Sequence, residues 1–118
     1  MRILVVAQHD GQRVRSVSRS ALAFAAQIAE MTGGDVQWLL IGHQLDAVAQ
    51  DAARYAPTLT AACRALEHPL ADRYAHVIAT AVRQQGTELL VASSNTFAKD
   101  IVARAGGLLG GTMTAGTE

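Results

Sequence analysis

At 118 residues the chain has room for one domain with a single core and little room for a second. Half of its residues are hydrophobic and 17% are charged, a balance that excludes a disordered or fibrous chain. Ten basic side chains cancel ten acidic ones and no Lys/Arg cluster runs along the chain, so the electrostatic footprint of a nucleic-acid or anionic-membrane binder is absent.

Residues 3–7, Ile-Leu-Val-Val-Ala, form an unbroken apolar run rich in strand formers, the pattern of a strand buried on both faces of a parallel sheet. The run is too short for a secretory h-region or a membrane span, and polar Gln8, His9, Asp10 and Gly11 end it. A helical stripe follows at Val17, Ala21, Leu22, Ala25, Ile28 and Ala29, with Arg19, Gln27 and Glu30 turned away. Ser16 is the expected N-cap, and Gly33-Gly34 the expected stop. Residues 36–41 make a second apolar strand carrying the single Trp38, broken at Gly42 before a helix of roughly ten residues from Leu45. Pro57 closes that helix. The third strand is expected at about residues 62–67, weakened by alanine and by Pro69. Tyr74, Val77, Ile78, Ala81 and Val82 then give a clear amphipathic helix ending at Gly86, and residues 89–92 a short buried strand. Phe97, Ile101, Val102, Ala105, Leu108 and Leu109 mark a last helix, and the tail from Gly110 can begin a fifth strand without completing a well-packed one.

Four strand–helix units joined by short connections predict an α/β three-layer sandwich around a parallel sheet, because parallel neighbours need right-handed crossovers. In such sheets ligands collect at the carboxyl ends of the strands. Three loops lie there: Gln8-His9-Asp10-Gly11, Gly42-His43-Gln44, and Ser93-Ser94-Asn95-Thr96. The last leads into an amphipathic helix whose free N–H groups favour anions, so Gln8, His9, Ser93, Ser94, Asn95 and Thr96 are the candidate crevice residues, against the plainer reading that the small polar residues only cap a helix.

Sharper chemistry is missing. There is no G-x-G-x-x-G, no G-x-x-x-x-G-K-[ST] and no G-x-S-x-G, so no catalytic residue is assigned and the chain is not expected to be an enzyme. His9, Asp10 and His43 are two histidines and a carboxylate on separate loops, which more often means solvated loop side chains than a metal or acid–base site; His68 and His76 lack ligand spacing. Arg13, Arg15 and Arg19 are read as a solvated surface. Cys63, the single cysteine, excludes an internal disulfide and predicts the cytoplasm or another reducing compartment.

MRILVVAQHD, with the short turn and alanine-rich helix after it, resembles the opening of electron-transfer flavoprotein alpha subunits. Ser93-Ser94-Asn95-Thr96-Phe97-Ala98-Lys99-Asp100-Ile101-Val102-Ala103-Arg104-Ala105 is similar to that family's strand-end Thr and following helix, departing from it at Ala98 where the family has Gly; Gly106-Gly107 replaces its alanines. The resemblance runs the whole length. It implies the adenine-nucleotide alpha-hydrolase-like, universal-stress-like topology, and a role as the amino-terminal structural and partner-binding domain of a flavin electron carrier. It further implies a beta-subunit partner, dehydrogenases and a quinone reductase as electron donor and acceptor, and FAD in the complete subunit, held by a carboxy-terminal domain whose motifs are not in this chain. No FAD is expected on these residues alone. The alternative is a free-standing adenine-nucleotide-binding module of universal-stress type. Surfaces that the missing neighbours would cover predict weak self-association.

Overall fold

The computed structural model describes residues 1–62, 71–93 and 113–117. Its elements in chain order are β1 (Arg2–Val6), α1 (Ser16–Thr32), β2 (Asp35–Gly42), α2 (Asp46–Ala53), β3 (Thr58–Ala62), α3 (Ala71–Gln85), β4 (Leu89–Ser93) and β5 (Met113–Thr117). The five strands form one sheet in the order β3-β2-β1-β4-β5, every neighbouring pair parallel.

The apolar run at the amino terminus lands where its composition requires. β1 lies in the centre of the sheet, hydrogen-bonded to β2 on one side and β4 on the other. Its alternate side chains enter opposite cores. Ile3, Val5 and Ala7 pack with Ala21 and Ala25 of α1, Val48 and Ala52 of α2, and Trp38 and Leu40 of β2. Leu4 and Val6 pack with Ala75, Ile78, Ala81 and Val82 of α3. The chain therefore has three layers, with α1 and α2 on one face and α3 on the other. Right-handed crossovers demand this division: the first two connections step one way across the sheet, and the third steps back past β1 to β4.

Local chemistry ends α1 and α3 as expected, at Gly33 and Gly86, whereas α2 stops at Ala53, ahead of Pro57. Gly33 adopts φ 67° and its N–H returns to the Ala29 carbonyl, a left-handed C-cap that a side chain would strain. Trp38, wholly buried, donates its indole N–H to the Ala52 carbonyl at 3.1 Å, tying β2 to the end of α2.

Three expectations are corrected. The N-cap of α1 is Arg15, not Ser16, and it makes no side-chain capping bond. The buried line of α1 runs through Ser18, Ala21 and Ala25, so Val17 is exposed and Leu22, Ile28 and Ala29 are half-buried. The helix is rotated because its start is set by contacts of the preceding loop. The third strand runs over Thr58–Ala62, directly after Pro57, and not over 62–67. It is a half-exposed edge strand, so its β-branched threonines carry its propensity in place of an apolar run. The tail does supply a strand: β5 pairs along the whole of β4, from Leu89 opposite Met113 to Ser93 opposite Thr117. The expected last helix at 97–109 and the Ala98 and Gly106-Gly107 departures lie outside the described residues.

Candidate functional site

The strand order reverses direction at β1 and β4. The second strand of the chain lies on one side of β1 and the fourth on the other, which opens a crevice beyond their carboxyl ends. Gln8 and His9 leave β1 on one wall of that crevice, and Ser93 ends β4 opposite. The structure thus brings these three to the same end of adjacent strands. Ser94, Asn95 and Thr96 lie outside the described residues, as do Cys63 and His68.

The wall formed by the loop after β1 is tied inward at almost every backbone amide. The Gln8 N–H donates to the hydroxyl of Ser18 at 2.7 Å, and the Arg15 N–H to the Gln8 carbonyl at 2.8 Å. Ser18 is the one fully buried polar residue among those described, and this bond explains its position in the core. The Gln12 and Arg13 N–H groups both donate to Asp10 Oδ1, at 2.9 and 2.8 Å, and the Val14 N–H donates to Asp51 Oδ2 of α2 at 2.8 Å.

His9 is a strut. Its Nδ1 accepts the Gly11 N–H at 3.0 Å, a contact that Gly11 reaches with φ 91°, so Nε2 carries the proton and donates to the Ile41 carbonyl at 2.9 Å. Both ring nitrogens are spent on holding the loop to the end of β2. Gly42 lies beside this ring, where a Cβ would press on Leu45 Cδ2 at 3.0 Å and touch the His9 ring at an ordinary 3.5 Å. The histidine thus links Gly11 of its own loop to Ile41 of β2. Among the described residues no group of three or more His, Cys, Asp or Glu side chains is arranged to hold a metal.

Electrostatics carries the same message. The amides of Gln12 and Arg13, with Arg15 nearby, hold the Asp10 carboxyl below its ordinary value. That carboxylate thus closes its own turn, accepting the N–H groups two and three residues on. The described amides of this wall are thus bonded to the chain's own oxygens. Elsewhere, an open cleft of about 350 Å³ lies between β2, β3 and α3, lined by Leu39, Leu59, Val77 and Ala81 with Thr60, His76 and Gln84. Burial pushes the Tyr74 phenol up, on the α3 side and away from the crevice.

Ser18 and Asp51 were not among the residues singled out by sequence. A serine in line with buried alanines at Ala21 and Ala25 was the available sign for the first; Asp51 left none, because its partner lies 37 residues away and on another element.

Comparison with known proteins gives three results. The family model described as "Electron transfer flavoprotein domain" matches residues 3–117. The chain is similar to "Electron transfer flavoprotein subunit alpha, mitochondrial" of Oryza sativa subsp. indica, 36% identical over an alignment of 112 positions that covers 90% of this chain and 31% of the relative, and equally to its counterpart in Oryza sativa subsp. japonica. It thus spans less than a third of the length of these curated relatives. Among solved structures it resembles the universal stress protein from Archaeoglobus fulgidus, with TM-score 0.63 and 14% identity, covering 100% of this chain and 93% of that one. At that identity the likeness shows the fold alone, the universal-stress-like α/β architecture.

Proposed function

The chain belongs to the electron transfer flavoprotein domain family, and from that premise we propose that it is the amino-terminal structural and partner-binding domain of an alpha-type subunit, working in electron transfer without binding flavin itself. The observation that carries this reading is the family match over residues 3–117 combined with a crevice wall whose amides are already bonded within the chain. A domain so arranged supplies rigid surface and leaves cofactor chemistry to neighbouring parts of a carrier.

On this reading residues 1–118 form one α/β domain, and the partners are a beta subunit and, through the assembled carrier, dehydrogenases and a quinone reductase. FAD belongs to the complete subunit, outside these residues. The protein works in the cytoplasm or another reducing compartment. The candidate crevice residues Gln8, His9 and Ser93 then act as scaffold. The test is optical: the purified chain is incubated with excess FAD, passed through a desalting column and scanned. The expected eluate is colourless, and a stoichiometric flavin band overturns the proposal.

A second reading rests on the strand-order reversal at β1 and β4, the position where nucleotides bind in sheets of this kind. It would make the chain an adenine-nucleotide-binding module. Saturable, stoichiometric AMP or ATP binding by calorimetry would favour it over the first.

A further inference from the structure

The start of α1 carries charge of the wrong sign for a helix. Arg13, Arg15 and Arg19 are all exposed there, the first turn holds no acidic residue, and the N-cap Arg15 makes no side-chain capping bond. Cations at a helix amino terminus oppose the helix dipole and destabilise it. Local choices that work against the fold tend to sit at functional positions.

The fold adds a fourth guanidinium and an aromatic ring to these three. Tyr55, just beyond α2, is 42% exposed, and the guanidinium carbons of Arg19 and Arg54 each lie 5.9 Å from its ring centroid. Such contacts hold arginine side chains in place before anything binds. Asp51 links the two sources: its Oδ2 accepts the Val14 N–H from the loop that bears Arg13 and Arg15, and its Oδ1 lies 3.6 Å from Arg54. The nearby carboxylates are already engaged, Asp10 by two backbone amides and Asp51 by Val14 and Arg54. Among the described residues only Arg54 of the four arginines forms a salt bridge. Four of the chain's ten basic residues thus lie on the linked α1 start and α2 end, where the carboxylates recorded among the described residues are Asp10 and Asp51.

We propose that Arg13, Arg15, Arg19 and Arg54 around Tyr55 form a docking surface for a carboxylate-rich segment of another protein, a proposal independent of the functional reading above. All four cations are arginines, whose planar forks take carboxylates two bonds at a time. Arg and Tyr are the residue types that concentrate binding energy at protein interfaces. A nucleic-acid strand fits less well, because single-strand sites stack successive bases on several aromatic rings, whereas Tyr55 is the one ring here and Arg19 and Arg54 already lie against it. An incoming carboxylate would satisfy the arginines and the α1 dipole together.

The test uses the whole chain and a fluorescein-labelled peptide of ten glutamates, followed by anisotropy at low salt, with a ten-nucleotide oligo-dT and inorganic pyrophosphate as rival probes. The peptide should bind saturably. The Arg15→Ser/Arg19→Ser double variant should weaken it by about tenfold or more, the loss of two charge-assisted contacts. Arg19→Lys should weaken it by a smaller factor, and Arg83→Ser on α3 should leave it unchanged. The double variant should still melt in one cooperative transition, since the cations that leave the helix amino terminus offset the lost Arg19–Tyr55 contact, which separates lost binding from lost folding. Absent peptide binding, binding insensitive to the double variant, tighter binding of oligo-dT, or full displacement of the peptide by equimolar pyrophosphate would each overturn the proposal.

Discussion

Replacing Ser18 by alanine should destabilise the chain even though alanine is the better helix former. Ser18 is fully buried and its hydroxyl accepts the Gln8 N–H at 2.7 Å, so the variant strands a backbone donor at the end of the central strand. Leaving such a donor without a partner costs about 1–3 kcal/mol, and the helix-propensity gain of Ser→Ala returns only about 0.5 kcal/mol. The net loss is therefore about 0.5–2.5 kcal/mol, against the roughly 5–15 kcal/mol that holds a domain of this size together. Ser20→Ala, two residues on but exposed, has no such bond to lose and should stabilise slightly. Urea unfolding of the three proteins measures the difference, and amide exchange at Gln8 should accelerate in Ser18→Ala alone. If Ser18→Ala matched or exceeded Ser20→Ala in stability, the account of how the loop after β1 is anchored would be wrong.

Other outcomes follow from the same structure. Trp38→Phe removes the indole donor to the Ala52 carbonyl and leaves a void between β2 and α2, which should cost about 2–3 kcal/mol in chemical unfolding; a change below about 0.5 kcal/mol would contradict that role. Asp10 has its carboxyl pulled below the ordinary 3.8 by the amides of Gln12 and Arg13. Its contribution to stability is thus present above that value and disappears as pH falls through the lowered folded-state value. Asp10→Asn should flatten the acid limb of the stability profile, and an Asp10 carboxyl titrating at or above 3.8 by NMR would refute the assignment. A charge at Val5, buried in the central strand, should prevent folding, as read by loss of the cooperative thermal transition.

Much of the architecture is legible in residue order, for identifiable reasons. β1 announces itself because a strand covered on both faces must be apolar at every position, and α3 because Val77, Ile78, Ala81 and Val82 recur at helical spacing. β3 is obscured because an edge strand half open to solvent needs no apolar run, and the threonines that form it are equally at home in a turn. α1 misleads because its alanines fit more than one face, so the buried line depends on Ser18 meeting Gln8, a contact between elements. The crevice divides similarly. Its position follows from the alternation of strands and helices, which sets Gln8, His9 and Ser93 at the carboxyl ends of β1 and β4. That His9 has both nitrogens occupied, and that Asp10 binds the amides of its own loop, depend on backbone directions that spacing does not encode.

The central claim is that this chain contributes partner-binding surface to an electron transfer flavoprotein. Sedimentation velocity of the chain mixed with the electron-transfer flavoprotein beta subunit of the same organism tests it most directly. A new, faster boundary containing both proteins in equal numbers is the predicted result. Two independent boundaries at concentrations well above micromolar would contradict it.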